Sequence, residues 1–176
     1  MHSLAGTQFG SAWVAGETGI AFGNRVGTAL STRADLPAAN PRPGEVLPHT
    51  LSAAFVRQDG RSMTVATPGG DRQVQWLAQA IQRFRRGATA REIADGPRWF
   101  VCPEGDRFGV PAGIGSPWFA FAEPGIEWSR AARCAGYDVR PVESVGGGLQ
   151  IVVHDGSSTE FASDPRSGGG VAAEER

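Results

Sequence analysis

The run from Asp71 to Arg86, DRQVQWLAQAIQRFRR, constrains this chain more than any other stretch. Val74, Leu77, Ala78, Ile81 and Phe84 recur at three- and four-residue steps, the spacing of one apolar face of an α-helix, and Gly87 follows as a C-terminal cap. That face must be covered, so the helix needs a sheet or another helix to pack on. Leading into it is Ala66-Thr67-Pro68-Gly69-Gly70. Two adjacent glycines let the backbone take φ angles that other residues resist. They also let another group approach the N–H groups at a helix start, which have no intrahelical acceptor. Two readings are open at this junction: a plain strand-to-helix turn, and a turn that binds an anion or an oxyanion. Taken alone, the glycine pair favours the plain turn.

The segments around this helix read as follows. SAWVAG and GIAFGN look like two short strands joined by Gly16-Glu17-Thr18-Gly19 in a hairpin-like connection. Residues 28–48 carry four prolines and little periodicity, which predicts a long irregular loop, a candidate lid or substrate wall. In LSAAFVRQDGRSMTVAT two apolar runs flank Asp59-Gly60, a strong hairpin signal. Thr89 and Glu92 have capping-box spacing and open a short helix that Pro97 ends. The stretch from Phe100 to Glu127 is rich in Gly and Pro and presents no clear element. A short helix is expected over Trp128 to Ala135, then a strand YDVRPV, then a second hairpin around Asp155-Gly156.

Strands, then helices, then strands again, without alternating βαβ units, predict an α+β fold with mostly antiparallel strands. The same order excludes VGGGLQ, Val145 to Gln150, as a nucleotide loop, because a strand follows it where a phosphate-binding helix would be needed.

With 176 residues and 40% apolar side chains the chain can build one ordinary core. Its net charge of −1 gives no electrostatic drive toward nucleic acid or a membrane surface. No stretch has the apolar length of a membrane span, and Met1 to Gly10 lacks the basic and apolar regions of a signal peptide. Cys102 and Cys134 have no CxxC spacing, and His2, His49 and His154 are scattered, so neither metal nor any other cofactor is expected. No GxSxG elbow supports a serine triad. Arg98 and Arg166 are assigned to structure, since Arg beside a helix end or turn commonly ties backbone carbonyls. Trp13, Trp76, Trp99, Trp118 and Trp128 are assigned to core or subunit contacts.

Eight blocks in order, FGSAWVAGETGIAFGNR, PRPGEVLPHTLSAAFV, DG, ATPGGDRQVQ, GATAREIADGPRW, AEPG, CAGYDV and SDPRSGGGVA, resemble the small subunit of the gamma-glutamyltranspeptidase family. The resemblance runs over nearly the whole chain. It implies one domain over residues 1–172, a disordered tail over 173–176, and part of an αββα sandwich of the N-terminal nucleophile hydrolases. In that family a threonine freed by self-cleavage attacks a γ-glutamyl amide, with its own amine as base. The resemblance makes the N–H groups of Gly69 and Gly70 the oxyanion hole and so favours the second reading of the glycine pair. It places the nucleophile and the opening strands of the small subunit before this sequence, with Ser3 as the hydroxyl residue that supports the nucleophile.

Asn24, Arg25, Thr28, His49 and Thr50 fall where the family contacts substrate. Arg25 and Thr28 replace the acidic pattern that would meet an α-ammonium, and Arg25 suits a carboxylate instead. His49-Thr50 replaces a paired serine, as in the branch with acylase-like amidohydrolases. The implied function is cleavage or transfer of a γ-glutamyl or related acyl group. The implied partner is the large subunit or upstream segment of the same precursor. The alternative is a catalytically dead remnant or a binding partner that completes another polypeptide.

Strands missing from the sheet would leave backbone groups unpaired and an apolar face bare. The 176-residue chain expressed alone is therefore expected to aggregate or to order only in part. A cooperative thermal transition independent of concentration would refute that.

Overall fold

The computed structural model describes residues 11–20, 22–23, 43–44, 51–103, 118–126 and 136–167. Contacts divide the chain into two compact units, Met1–Thr50 and Leu51–Arg176. In the first, Ser11 N–H donates to Phe22 O, Phe22 N–H to Trp13 O and Ala15 N–H to Ile20 O, each at 2.9 Å. Thr18 closes the connection by donating its hydroxyl to Ala15 O at 2.6 Å and accepting from Ile20 N–H at 3.2 Å. The pairing expected across Gly16–Gly19 is thus present. Residues 45–50 and most of the proline-rich loop lie outside the described residues.

The second unit runs β1 (Ser52–Gln58), β2 (Arg61–Thr67), a 3-10 turn (Gly70–Arg72), α1 (Gln73–Arg85), α2 (Ala90–Asp95), β3 (Trp99–Pro103), β4 (Trp118–Ala122), β5 (Asp138–Pro141), β6 (Gln150–Asp155), β7 (Ser158–Ser163) and a 3-10 turn (Pro165–Ser167). A four-stranded sheet has the order β1-β2-β6-β7, all antiparallel, and a three-stranded sheet the order β3-β4-β5. In the smaller sheet β3 and β4 are antiparallel and β4 and β5 parallel.

Both expected hairpins form. Asp59 and Gly60 have φ of 51° and 79°, the pair of left-handed residues that a tight two-residue turn needs to match strand twist. In the second hairpin Asp155 pairs with Ser158, so Gly156 and Ser157 are the turn residues. Strand alternation then separates the faces of the larger sheet. Met63, Val65, Ile151, Val153 and Ala162 are buried and join α1 and α2 in one core with Trp76, Leu77, Phe84 and Ile93. The opposite face carries the register row Phe55, Thr64, Val152 and Phe161, with Phe55 and Phe161 exposed.

The helix is where expected, but its buried stripe is turned. Gln73, Trp76, Leu77, Ala80 and Phe84 are buried, whereas Val74 and Ala78 are exposed. The large indole and the two glutamines at positions 73 and 79, which spend their amides on backbone groups, decide the rotation against two small apolar residues. The capping box at Thr89 and Glu92 forms as predicted: Glu92 N–H donates to Thr89 Oγ1 and Thr89 N–H to Glu92 Oε2. Strands β3 and β4 lie in the stretch that showed no sequence pattern. In β4 the residues Phe119, Ala120, Phe121 and Ala122 are all buried, and a strand covered on both faces has no alternation to read. The helix expected over 128–135 lies outside the described residues.

One edge of β3 pairs with β4, and the other is closed by side chains of α1. Gln75 Nε2 donates to Val101 O at 2.9 Å while its Oε1 accepts from Val101 N–H at 2.7 Å. Gln79 makes the same pair of bonds with Trp99, at 2.9 and 3.1 Å. The match is geometric: four residues of helix rise about 6 Å, and two residues of strand about 6.7 Å. Two primary amides at i and i+4 thus stand in for a neighbouring strand and shield an edge that would otherwise recruit one.

Gln75→Met keeps the volume but leaves the Val101 N–H and C=O without their partner. Urea denaturation of the intact protein is expected to show a loss of about 1–3 kcal/mol. An unchanged midpoint would mean that the amide ladder contributes nothing.

Candidate functional site

Strand β2 ends at the buried Thr67, whose hydroxyl donates to Pro68 O at 2.8 Å, and the chain then turns through the two glycines into α1. Gly69 has φ 141° and ψ 22°, and Gly70 has φ 58°. The first conformation belongs to glycine alone. Gly69 O accepts from Arg72 N–H at 3.3 Å, and Gly70 O accepts from Gln73 N–H and from Gln73 Nε2 at 2.9 Å. Because a trans peptide points its N–H opposite its C=O, these bonds turn the N–H of Gly70 away from the helix, at its positive end. Among the described residues neither the Gly69 nor the Gly70 N–H makes a hydrogen bond. The Gly70 N–H therefore faces away from the helix beside open space at the Gly70 Cα.

Two side chains from the first turn of α1 hold this arrangement. Gln73, buried, donates to Gly70 O and accepts from Ser52 N–H at 2.7 Å, tying the glycine turn to the start of β1. Trp76, 1% exposed, lays its six-membered ring against Gly69, where a Cβ would come closer than 3.0 Å to Cζ3.

Behind the indole lies a buried ion network. Arg98 stacks its guanidinium 5.3 Å from the Trp76 ring. It pairs with Asp164 at 2.6 Å, both side chains being fully buried, and donates to Gly146 O at 2.9 Å. Among the described residues its Nε and Nη1 make no hydrogen bond, and the guanidinium lies over the indole ring instead. Arg166 joins Asp164 at 3.0 Å and Glu123 at 2.5 Å, and donates to the carbonyls of Ala94 and Gly96. Glu123 in turn accepts from the backbone N–H of Arg98 and of Val145, each at 2.9 Å. The structural assignment of Arg98 and Arg166 agrees with these contacts.

Burial opposes the charge on Glu123, but the hydrogen bonds from Arg166, Val145 and Arg98 more than offset it and hold its pKa below the usual carboxylate value. Burial likewise opposes the Arg166 charge, and the bonds to Glu123 and Asp164 raise its pKa all the same.

Of the residues singled out in the sequence, Gly69 and Gly70 are placed together at the turn. Ser3, Asn24, Arg25, Thr28, His49 and Thr50 lie outside the described residues. Gln73 and Trp76 were not singled out for a site, since a helical Gln or Trp reads as an ordinary face residue. A groove of about 570 Å³ lined by Gln75, Val101, Trp118, Gly136 and Tyr137 contains neither glycine. Among the described residues no group of three or more His, Cys, Asp or Glu could hold a metal ion, and no helix is long and apolar enough to cross a membrane.

The gamma-glutamyltranspeptidase family model matches residues 3–174. The oxamate amidohydrolase proenzyme of Klebsiella pneumoniae subsp. pneumoniae is 34% identical over 171 residues, an alignment covering 94% of this chain and 31% of that protein. The chain thus spans about a third of the length of this relative. Among solved structures, the Bacillus anthracis transpeptidase enzyme CapD superposes with a TM-score of 0.61 at 18% identity, covering 99% of this chain and 90% of that one. The gamma-glutamyltranspeptidase from Pseudomonas nitroreducens complexed with L-DON gives 0.63 at 18% identity, covering 96% and 88%. At this identity the two superpositions speak for the fold.

The depressed pKa of Glu123 sets a sign for pH dependence. Its contribution to stability is complete above the ordinary glutamate pKa of about 4.3, and is lost as pH falls through the lower folded value. Glu123→Gln is expected to cost about 3–5 kcal/mol at neutral pH by leaving Arg166 short of a partner. The gap to wild type should close as urea titrations are moved into acid. A gap that stays constant with pH would contradict this assignment.

Proposed function

The chain belongs to the gamma-glutamyltranspeptidase family, and on that premise we propose that it supplies the oxyanion-binding turn of an N-terminal nucleophile amidohydrolase. The observation that carries this reading is the Gly69–Gly70 turn, whose N–H groups make no hydrogen bond among the described residues and lie at the positive end of α1. A threonine from outside these 176 residues attacks the amide carbonyl through its hydroxyl, and its free amine takes the proton. The developing oxyanion is met by the N–H groups of Gly69 and Gly70, donors already in place before the charge forms. The threonine's ammonium returns that proton to the amide nitrogen as the tetrahedral intermediate collapses, the amine departs, and water or an amino acceptor, deprotonated by the same amine, releases the acyl group from the threonine ester.

The substrate we propose is a small amide whose acyl part carries a carboxylate. Two things support it: the relative named as an oxamate amidohydrolase, and Arg25, a cation where a γ-glutamyl enzyme would need an acid. Thr28, Asn24, His49 and Thr50 complete the same wall in this reading, and Ser3 supports the nucleophile. A γ-glutamyl amide is the second substrate to test. The partner is the remainder of the precursor. It covers the sheet face on which Phe55 and Phe161 are exposed, opposite the core side packed by α1 and α2.

The test is hydrolysis of oxamate and of γ-glutamyl-p-nitroanilide by the complete gene product, wild type and Gly70→Ala. A side chain at Gly70 meets open space, but the φ of 58° is unfavourable for it, so the N–H is expected to swing away. A fall in kcat of about 10²-fold is expected. A self-cleaved Gly70→Ala protein as active as the wild type would refute the oxyanion role. A wild-type protein that neither cleaves itself nor hydrolyses either amide would refute the enzyme.

A further inference from the structure

The Val145 to Gln150 segment, excluded as a nucleotide loop, has no part in the chemistry described so far. We propose that Gly147 and Trp76 are positioning residues that set the Gly69–Gly70 N–H groups, an inference that rests on the oxyanion reading of that turn for its catalytic consequence. Gly146 and Gly147 are consecutive residues with left-handed φ, 73° and 74°. Gly147 lies against the Trp76 ring at the same three atoms that Gly69 touches: Cζ3 nearest, then Cε3 and Cη2. A Cβ on either glycine would overlap that ring. Two glycine turns far apart in sequence therefore share one edge of the indole, which in this proposal acts as the spacer that couples them.

The spacer has little room to give way. Trp76 is 1% exposed, meets Phe100 edge-on with centroids 6.5 Å apart, and has the Arg98 guanidinium at its face. The 145–149 turn is itself pinned at both ends. Val145 N–H is held by Glu123, Gly146 O by Arg98, and Leu149 by Asp164, which accepts from its N–H through a side-chain oxygen at 3.2 Å and donates its own N–H to Leu149 O at 2.9 Å. Gly148 is backed by Ser167, whose hydroxyl is tied to Asp164 O. A displacement at Gly147 is thus passed through a rigid aromatic ring to Gly69, because dense packing around the ring offers no other direction. Buried charges fix the far turn, the far turn fixes the ring, and the ring fixes the donors.

The experiment uses Gly147→Ala in the complete, self-processed protein, with Gly87→Ala as comparator. Gly87 has φ 90° and open space around it, so its variant carries similar backbone strain without touching Trp76. For Gly147→Ala, kcat is expected to fall about 10²-fold with KM little changed. The 15N-glycine amide signals of Gly69 and Gly70 are expected to shift. Both effects should partly reverse in Gly147→Ala/Trp76→Phe, where the overlapping ring atoms are gone. Gly87→Ala should lower Tm alone. The inference is overturned if Gly147→Ala behaves like Gly87→Ala, with the two amide signals and kcat unmoved. Shifted and rescued amide signals with an unchanged kcat would uphold the positioning and instead overturn the oxyanion role of the turn.

Discussion

The fully buried pair of Arg98 and Asp164, 2.6 Å apart, is the constraint on which the rest of this structure depends. A charge inside a core is tolerated only with its partner and its hydrogen bonds in place, so each group here dictates where others must be. Arg166 and Glu123 complete a set of two cations and two anions. Its hydrogen bonds reach the end of α2, the start of β3, the residues after β4, the glycine turn before β6 and the segment after β7. These are the loops that a hydrophobic core orders least, because few of their side chains are apolar. The network does for the loops what the Met63, Val65, Phe84 and Ile93 cluster does for the helices and the larger sheet.

The helix α1 links that network to the candidate site. One side packs on the larger sheet, another closes the β3 edge through Gln75 and Gln79, and its first turn presents Gln73 and Trp76 to the glycines. A helix held on so many sides is a firm platform for backbone donors, and donors that need no rearrangement are the ones that stabilise developing charge. The fold is that of the N-terminal nucleophile hydrolases of this family, with helices on one face of a mostly antiparallel sheet. This chain corresponds to about a third of the length of its amidohydrolase relative.

Where local chemistry specifies an element, the sequence and the structure agree: the Asp59-Gly60 and Asp155-Gly156 hairpins, the presence of α1, the Thr89–Glu92 box. Each is decided by residues within a few positions of one another. The glycine pair at the candidate site was visible for the same reason. Strand β4 is not legible in this way, because burial on both faces erases alternation, and the buried face of α1 is not, because Gln73 and Gln79 are buried by virtue of backbone partners outside the helix's own face. Nothing local in WLAQA announces that Trp76 will meet two glycines distant in sequence.

The sequence by itself determined the family, the α+β class, the hairpins, the capped helices and the glycine turn that could meet an anion, since all of these follow from short-range conformational preference or from ordered blocks of residues. Tertiary structure alone decided that Gly69 and Gly147 share one indole ring, that Gln75 and Gln79 act as a strand, and that Arg98, Glu123, Asp164 and Arg166 form one network. Those contacts join residues up to about seventy positions apart, and no local preference encodes which partners a folded core will bring together.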